Sequence, residues 1–150
     1  MLNIIRTDSD NSDFIALTRL LDDELHGEYG AQMAFYGQFN KIDKIKHVLV
    51  AYINDAPVGC GAIKRYEDDT AEVKRMFVKT SFRGQQIAMK ILEQLELWAN
   101  ESGYCYSILE TGQRQQRAIA LYRKNGYEVI PNYRQYNGVD SSVCLKKKLC

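Results

Sequence analysis

The sequence predicts a mixed α/β domain: an antiparallel N-terminal meander, then a βαβ unit, then a C-terminal hairpin. Three observations carry that prediction. Between residues 47 and 78, β-prone runs are separated by short polar turns. Residues 87–100 then set apolar side chains at helical spacing, directly after a strand and a tight turn. A further strand, helix and hairpin pattern follows to the end of the chain. With 150 residues, 45% of them hydrophobic, the chain can bury one ordinary core and suits a single domain spanning 1–150. No repeat, linker or low-complexity segment divides it.

Leu2 to Thr7 reads as the first strand. Asn11, Ser12 and Asp13 offer N-caps for a helix that puts Phe14, Leu17, Leu20, Leu21 and Leu25 on one face. From Gly27 to Asn40 the pattern is uneven, and glycines alternate with Tyr29, Met33, Phe35, Tyr36 and Phe39. Aromatics there either line a ligand cleft or anchor a loop. His47 to Ile53 is the next strand, closed by the turn Asn54-Asp55-Ala56-Pro57. Val58 to Tyr66 returns, with Gly59 and Gly61 leaving room for close neighbours, and Glu67-Asp68-Asp69 turns the chain again.

Glu72 to Val78 is the strand around which the remainder is organised. After the turn Lys79–Gly84 comes a helix with Ile87, Ala88, Ile91, Leu92, Leu95, Trp98 and Ala99 on one face. Strand, tight turn and helix aim backbone N–H groups and the positive end of a helix dipole at an anion. Arg83 supplies a fork of donors suited to phosphate, and Gly84 permits close backbone approach. Tyr104 to Leu109 is the second strand of the βαβ unit, and Gln115 to Asn125 a helix stopped by Gly126. Tyr127–Ile130 and Ser142–Leu149 form the closing hairpin around an aromatic loop, Pro131 to Gly138.

The turn resembles the acyl-coenzyme A pyrophosphate loop of the GNAT superfamily of N-acetyltransferases, Arg/Gln-x-x-Gly-x-Gly/Ala. Arg83, Gly84, Gln85, Gln86, Ile87 and Ala88 fit it at the first and last positions, and Gln86 stands where glycine is usual. The later stretches LETG (109–112) and AIALYRKNGY (118–127) resemble the second half of the same fold. The resemblance implies the acyl-CoA N-acyltransferase fold, with acetyl-CoA as cosubstrate and an amine as acceptor. It also implies that this strand and the next splay apart around the pantetheine arm. Main-chain groups of Met76, Phe77 and Val78 then bind the arm by β-augmentation, with the Met76 N–H donating to the thioester oxygen.

The same resemblance points to Tyr122 as the general acid beside the sulfur and to Glu72 as the general base. On residue type alone, Tyr122 equally suits a packed helix tyrosine, and Glu72 an exposed glutamate paired with Lys74. Glu72 and Met76, four residues apart, fall on one side of a strand that alternates with period two. Glu110 is the competing base. His26 and His47 lack a surrounding motif and read as structural or surface residues. Arg114, Arg117 and Arg123 are candidates for the adenosine 3′-phosphate or simply solvated, while Tyr133 and Tyr136 are placed to close over the acceptor.

The balance of 20 basic and 19 acidic residues argues against a dedicated nucleic-acid or membrane surface. No apolar run is long enough for a membrane span and no signal peptide pattern is present, so a cytoplasmic location is expected. The four cysteines show no CxxC spacing. Cys60, Cys105 and Cys144 read as small buried thiols and Cys150 as an exposed terminal one, with no metal site expected. A homodimer through the terminal strand is compatible with the pattern. The rival reading is a non-catalytic acyl-CoA-binding sensor, which Gln86 keeps in play. A side chain there either crowds the pyrophosphate or replaces glycine's contribution with an amide donor.

Overall fold

The computed structural model describes residues 1–29 and 44–150. Most of the uneven Gly27–Asn40 stretch therefore lies outside the described residues. The strands are β1 (Leu2–Thr7), β2 (His47–Ile53), β3 (Ala56–Glu67), β4 (Thr70–Val78), β5 (Tyr106–Gly112), β6 (Glu128–Ile130) and β7 (Ser142–Lys148). The described α-helices are α1 (Ser12–Tyr29), α2 (Ile87–Glu101) and α3 (Gln116–Lys124). A seven-stranded mixed sheet runs in the order β1-β2-β3-β4-β5-β7-β6. Pairs β1–β2, β2–β3, β5–β7 and β7–β6 are antiparallel, and β4–β5 is parallel over Thr70–Glu72 against Tyr106–Ile108. The architecture is the mixed α/β arrangement expected from the sequence. The backbone forms two compact units, Met1–Lys64 with Lys74–Leu95, and Arg65–Val73 with Glu96–Cys150.

In the first unit, the Asn11 side chain accepts a hydrogen bond from the Phe14 N–H at 3.0 Å and caps α1. Phe14 and Leu17 are buried with Val48, Val50, Cys60, Ala62 and Phe77. Leu20 departs from the expected apolar face: it is 44% exposed, because the buried stripe passes through Thr18 instead. The β2–β3 connection is tighter than expected. Asn54 and Asp55 alone take left-handed φ values of 50° and 66°, as a two-residue hairpin turn requires. Ala56 and Pro57 already belong to β3, and the register shifts at Ala51/Tyr52, opposite Pro57, where a missing N–H is tolerated. Gly59 and Gly61 do admit close neighbours. A Cβ at Gly59 would meet the Phe77 carbonyl oxygen at 2.9 Å, and one at Gly61 the Met76 sulfur at 2.6 Å.

In the second unit, β7 lies between β5 and β6, and the Ser107 and Tyr127 hydroxyls meet at 2.8 Å. Lys147 donates to Glu96 at 2.9 Å. Cys60 and Cys144 are buried free thiols, as the sequence suggested. Cys105 and Cys150 are not thiols: they form a disulfide, with Cα atoms 5.0 Å apart across a separation of 45 residues. The strand register explains the pairing. Tyr106 stands opposite Lys148 in the β5–β7 ladder, and the Leu149 N–H donates to the Cys105 carbonyl, so the terminal residue returns to the head of β5.

Gly59→Ala is expected to destabilise the protein by about 1–3 kcal/mol, because the clash is with backbone rather than a movable side chain. Gly27→Ala is the control, since among the described residues nothing lies within 4 Å of a Cβ there. On a helix it should gain up to about 1 kcal/mol. Thermal melts of the two variants should therefore move in opposite directions.

Candidate active site

β4 leaves its strand at Val78 and makes a single 3-10 turn, Thr80–Phe82, before Arg83 resumes an extended conformation. Gly84 (φ 82°) and Gln86 (φ 64°) are both left-handed, and α2 begins at Ile87. Among the described residues, the backbone N–H groups of Gly84, Gln85 and Gln86 donate to no other backbone carbonyl. The first N–H groups of α2, at Ile87 and Ala88, have no intrahelical acceptor by helix geometry, and the first such bond runs from Lys90 to Gln86. A run of undirected donors beside a helix N-terminus fits a pyrophosphate.

Gln86 is thus explained and corrected together. The position favours glycine because its backbone is left-handed, not only because phosphate approaches. Arg83 also differs from its expected form. Its Nη1 and Nη2 donate to Glu24 Oε1 and Oε2 at 2.9 and 2.7 Å, and its Nε donates to the Val78 carbonyl at 2.9 Å. The guanidinium also stands 5.7 Å from the Phe77 ring centroid. This fork is directed at α1 and the end of β4, so a phosphate reaching it competes with Glu24.

Met76, Phe77 and Val78 form the last turn of β4 before the loop. Phe77 packs into the α1 cluster, whereas the Met76 and Val78 side chains lie by Gly61 and Gly59, next to Ile91 and Leu95 of α2. Arg75, just before them, is left-handed (φ 59°) and only 6% exposed. Its Nη2 reaches Asp22 Oδ1 at 3.0 Å and the Thr18 carbonyl at 3.2 Å, and its own carbonyl accepts from the Cys60 thiol. That kink interrupts period-two alternation, so the same-side relation expected for Glu72 and Met76 does not follow from spacing.

Glu72 belongs to the second unit and is 7% exposed. It is not a surface residue paired with Lys74. Tyr133 of the β6–β7 loop donates its hydroxyl to Glu72 Oε2 at 2.8 Å. Tyr133 packs edge-on against Tyr66 and Tyr136, at centroid distances of 5.1 and 5.6 Å. Burial first, then the charge and hydrogen bond of Glu72, push its phenol far above the usual tyrosine range. Sequence reasoning singled out Tyr133 for the acceptor and missed its bond to Glu72. The only signal was an aromatic loop carrying an N-terminal Pro131 and a terminal Gly138.

Tyr122, on α3, is 6% exposed and packs edge-on to Tyr127 at 5.7 Å. Burial raises its pKa, and the Glu110 carboxylate raises it further, so it keeps its proton throughout the neutral range. Glu110 lies in β5 and also bears on Tyr136 and Cys144. Arg114, Arg117 and Arg123 are exposed, as is His26. His47 is half-buried, and burial, Lys46 and Arg6 all lower its pKa. Among the described residues, no group of three or more His, Cys, Asp or Glu could hold a metal ion, and no helix is long and apolar enough to cross a membrane.

Gln86→Gly is expected to relieve the left-handed strain and raise stability by about 1 kcal/mol. Affinity for coenzyme A should be equal or higher by calorimetry. A large loss of affinity in a folded variant would make the Gln86 amide a phosphate ligand.

Residues 44–129 match a family profile described as an acetyltransferase (GNAT) domain. An IAA acetyltransferase from Azospirillum brasilense is 41% identical over 102 residues, 67% of each chain. A putative acyl-CoA N-acyltransferase from Klebsiella pneumoniae superposes with a TM-score of 0.83 at 30% identity, covering 100% of this chain and 99% of that one. A GNAT family acetyltransferase from Elizabethkingia anophelis, solved with acetyl-CoA bound, shares the fold at a TM-score of 0.70 and 18% identity, over 98% of this chain and 97% of that one. The profile spans more than half of the sequence, and the chain belongs to the GNAT family of acetyl-CoA-dependent N-acetyltransferases.

Proposed function

We propose that the protein transfers an acetyl group from acetyl-CoA to a primary amine by direct attack on the thioester, with Glu72 as base and Tyr122 as donor to the leaving sulfur. The observation that carries this reading is the buried Glu72 carboxylate, held by one neutral hydroxyl at the head of β4. Burying a carboxylate this way is expensive for a purely structural residue. It suits a base that must take a proton away from water.

Acetyl-CoA supplies the activated acyl group. The N–H groups of Gly84, Gln85, Gln86, Ile87 and Ala88 would take the pyrophosphate. Arg83 contributes by holding that loop to Glu24 and Val78. The main chain of Met76, Phe77 and Val78 would bind the pantetheine arm. A Met76 N–H donor to the carbonyl oxygen is worth ~10²–10³ in rate when preorganised. The acceptor ammonium gives one proton to Glu72. Its lone pair then forms the C–N bond, the C–S bond breaks, and the nitrogen's surplus proton passes to the departing sulfur, so that a neutral amide and the free thiol of coenzyme A are left. Because burial holds the Tyr122 proton tightly, its hydroxyl acts chiefly as a hydrogen-bond donor to the developing thiolate. The small-molecule or protein nature of the acceptor is read by a thiol-release assay over a panel of both. Tight coenzyme A binding without turnover on any amine would favour the sensor reading.

Tyr122→Phe should lower turnover by about 10- to 100-fold, the worth of a hydrogen bond to a developing charge. Affinity for acetyl-CoA should hardly change. The defect should shrink with an acyl donor whose thiol is more acidic. A packing defect would instead slow every donor alike and lower the melting temperature.

A further inference from the structure

We propose that Tyr133 is a positioning residue for the base. Its hydroxyl commits Glu72 Oε2, so that Oε1 is the oxygen that accepts the proton of the acceptor ammonium. The inference rests on the reading of Glu72 as base and adds the residue that aims it.

The β6–β7 loop is anchored before it reaches Glu72. Asn132 donates to the Val139 and Ser142 carbonyls at 2.9 and 3.1 Å, closing the base of the loop. Arg134, with φ 43°, donates to the Tyr66 carbonyl at 2.8 Å, and its guanidinium lies 3.8 Å from the Tyr66 ring centroid. Tyr66 in turn packs edge-on against Tyr133, and Tyr136 does the same within the loop. Tyr136 is buried to 1% exposure. The Tyr133 ring is therefore held between two other rings, and its hydroxyl reaches Glu72 in one orientation. A loop held this closely around a single hydroxyl–carboxylate bond fixes the direction of the carboxylate, which burial alone does not.

The surrounding electrostatics define the incoming partner. Tyr133, Tyr136 and Cys144 are the groups whose titration responds to Glu72, and Glu110 bears on Tyr136 and Cys144 as well. Three of these are neutral at physiological pH and the fourth is acidic. Among these described groups none is cationic, so a cationic ligand would complement the two acidic side chains. An alkylammonium acceptor meets that requirement and carries the proton the base must remove. When the ammonium transfers its proton to Oε1, Tyr133 keeps its own proton and continues to donate to Oε2. Glu72 returns the acquired proton to solvent once the amide has left.

The test compares the wild type with Tyr133→Phe, Glu72→Gln and the double variant, each as the full chain. The measurement is kcat/KM against pH with the amine that turns over best. In Tyr133→Phe the ionised carboxylate loses a donor, so the acid limb of the profile should move up by about one pH unit. The double variant should be no slower than Glu72→Gln, because Tyr133 acts only through Glu72. An unmoved acid limb, or losses that multiply in the double variant, would overturn the positioning role while leaving Glu72 as base. A Glu72→Gln variant with full rate and an unchanged profile would instead remove the base itself, and the positioning role with it. If Tyr133→Phe does not fold, Arg134→Met decides. It loosens the loop without touching the hydroxyl, and should shift the limb in the same direction by less, whereas no shift counts against the proposal.

Discussion

A left-handed arginine in the middle of β4 is the constraint on which the strand's several duties depend. A non-glycine residue at φ 59° costs on the order of 1–2 kcal/mol, and the surroundings must hold it there. Arg75 is held by its own side chain, which is buried against Asp22 and the Thr18 carbonyl of α1. The Cys60 thiol donates to its carbonyl from β3, and burial pushes that thiol up to about 12, so it remains protonated and able to donate. The chain on either side does different work. Before the kink, Glu72 belongs to the unit that carries Tyr122 and Tyr133. After it, Met76 to Val78 run into the loop of free N–H groups. The kink frees the second half of the strand from the alternation of the first.

What was legible in the sequence was local. The Asn11 cap, the β2–β3 turn and the apolar stripe of α2 each declare themselves within a few residues, and only the turn is shorter than its pattern, closing on Asn54-Asp55. The turn between β4 and α2 was legible for the same reason. The missing information lay in pairings across long stretches of chain. Arg83 meets Glu24 across 59 residues, Tyr133 meets Glu72 across 61, and Cys105 meets Cys150 across 45. Composition and periodicity carry no trace of such partners, because any acidic, aromatic or thiol residue elsewhere would have looked the same. Arg75 was hidden differently. Nothing in the run EVKRMFV marks a left-handed residue, and arginine is not a residue type that ordinarily signals one.

The proposed acid and the proposed base differ in environment more than in residue type. Glu72 accepts a hydrogen bond from the neutral Tyr133 hydroxyl, and its charge pushes up Tyr133, Tyr136 and Cys144. Tyr122 has burial and the Glu110 carboxylate acting on it, and both favour the protonated phenol. Both the proposed acid and the proposed base belong to the second unit. The phenols near the carboxylates share this bias: Tyr133 and Tyr136 are both pushed up by burial and then by neighbouring acids. The second unit thus contains hydroxyls that donate hydrogen bonds without ionising.

The loop at the start of α2 shows the same economy of donors. Side-chain donors here are turned to holding the protein together: three nitrogens of Arg83 are committed to Glu24 and Val78. Among the described residues the main-chain donors of Gly84, Gln85 and Gln86 meet no other backbone carbonyl, as the proposed pyrophosphate site requires. This division is favourable because backbone N–H groups cannot rotate away, whereas a free guanidinium would lose rotamer entropy each time it captured a phosphate. It also explains how glutamine is tolerated at position 86. Anion recognition by the peptide backbone depends on φ and ψ, and Gln86 adopts the left-handed φ that glycine would adopt there, at some energetic cost.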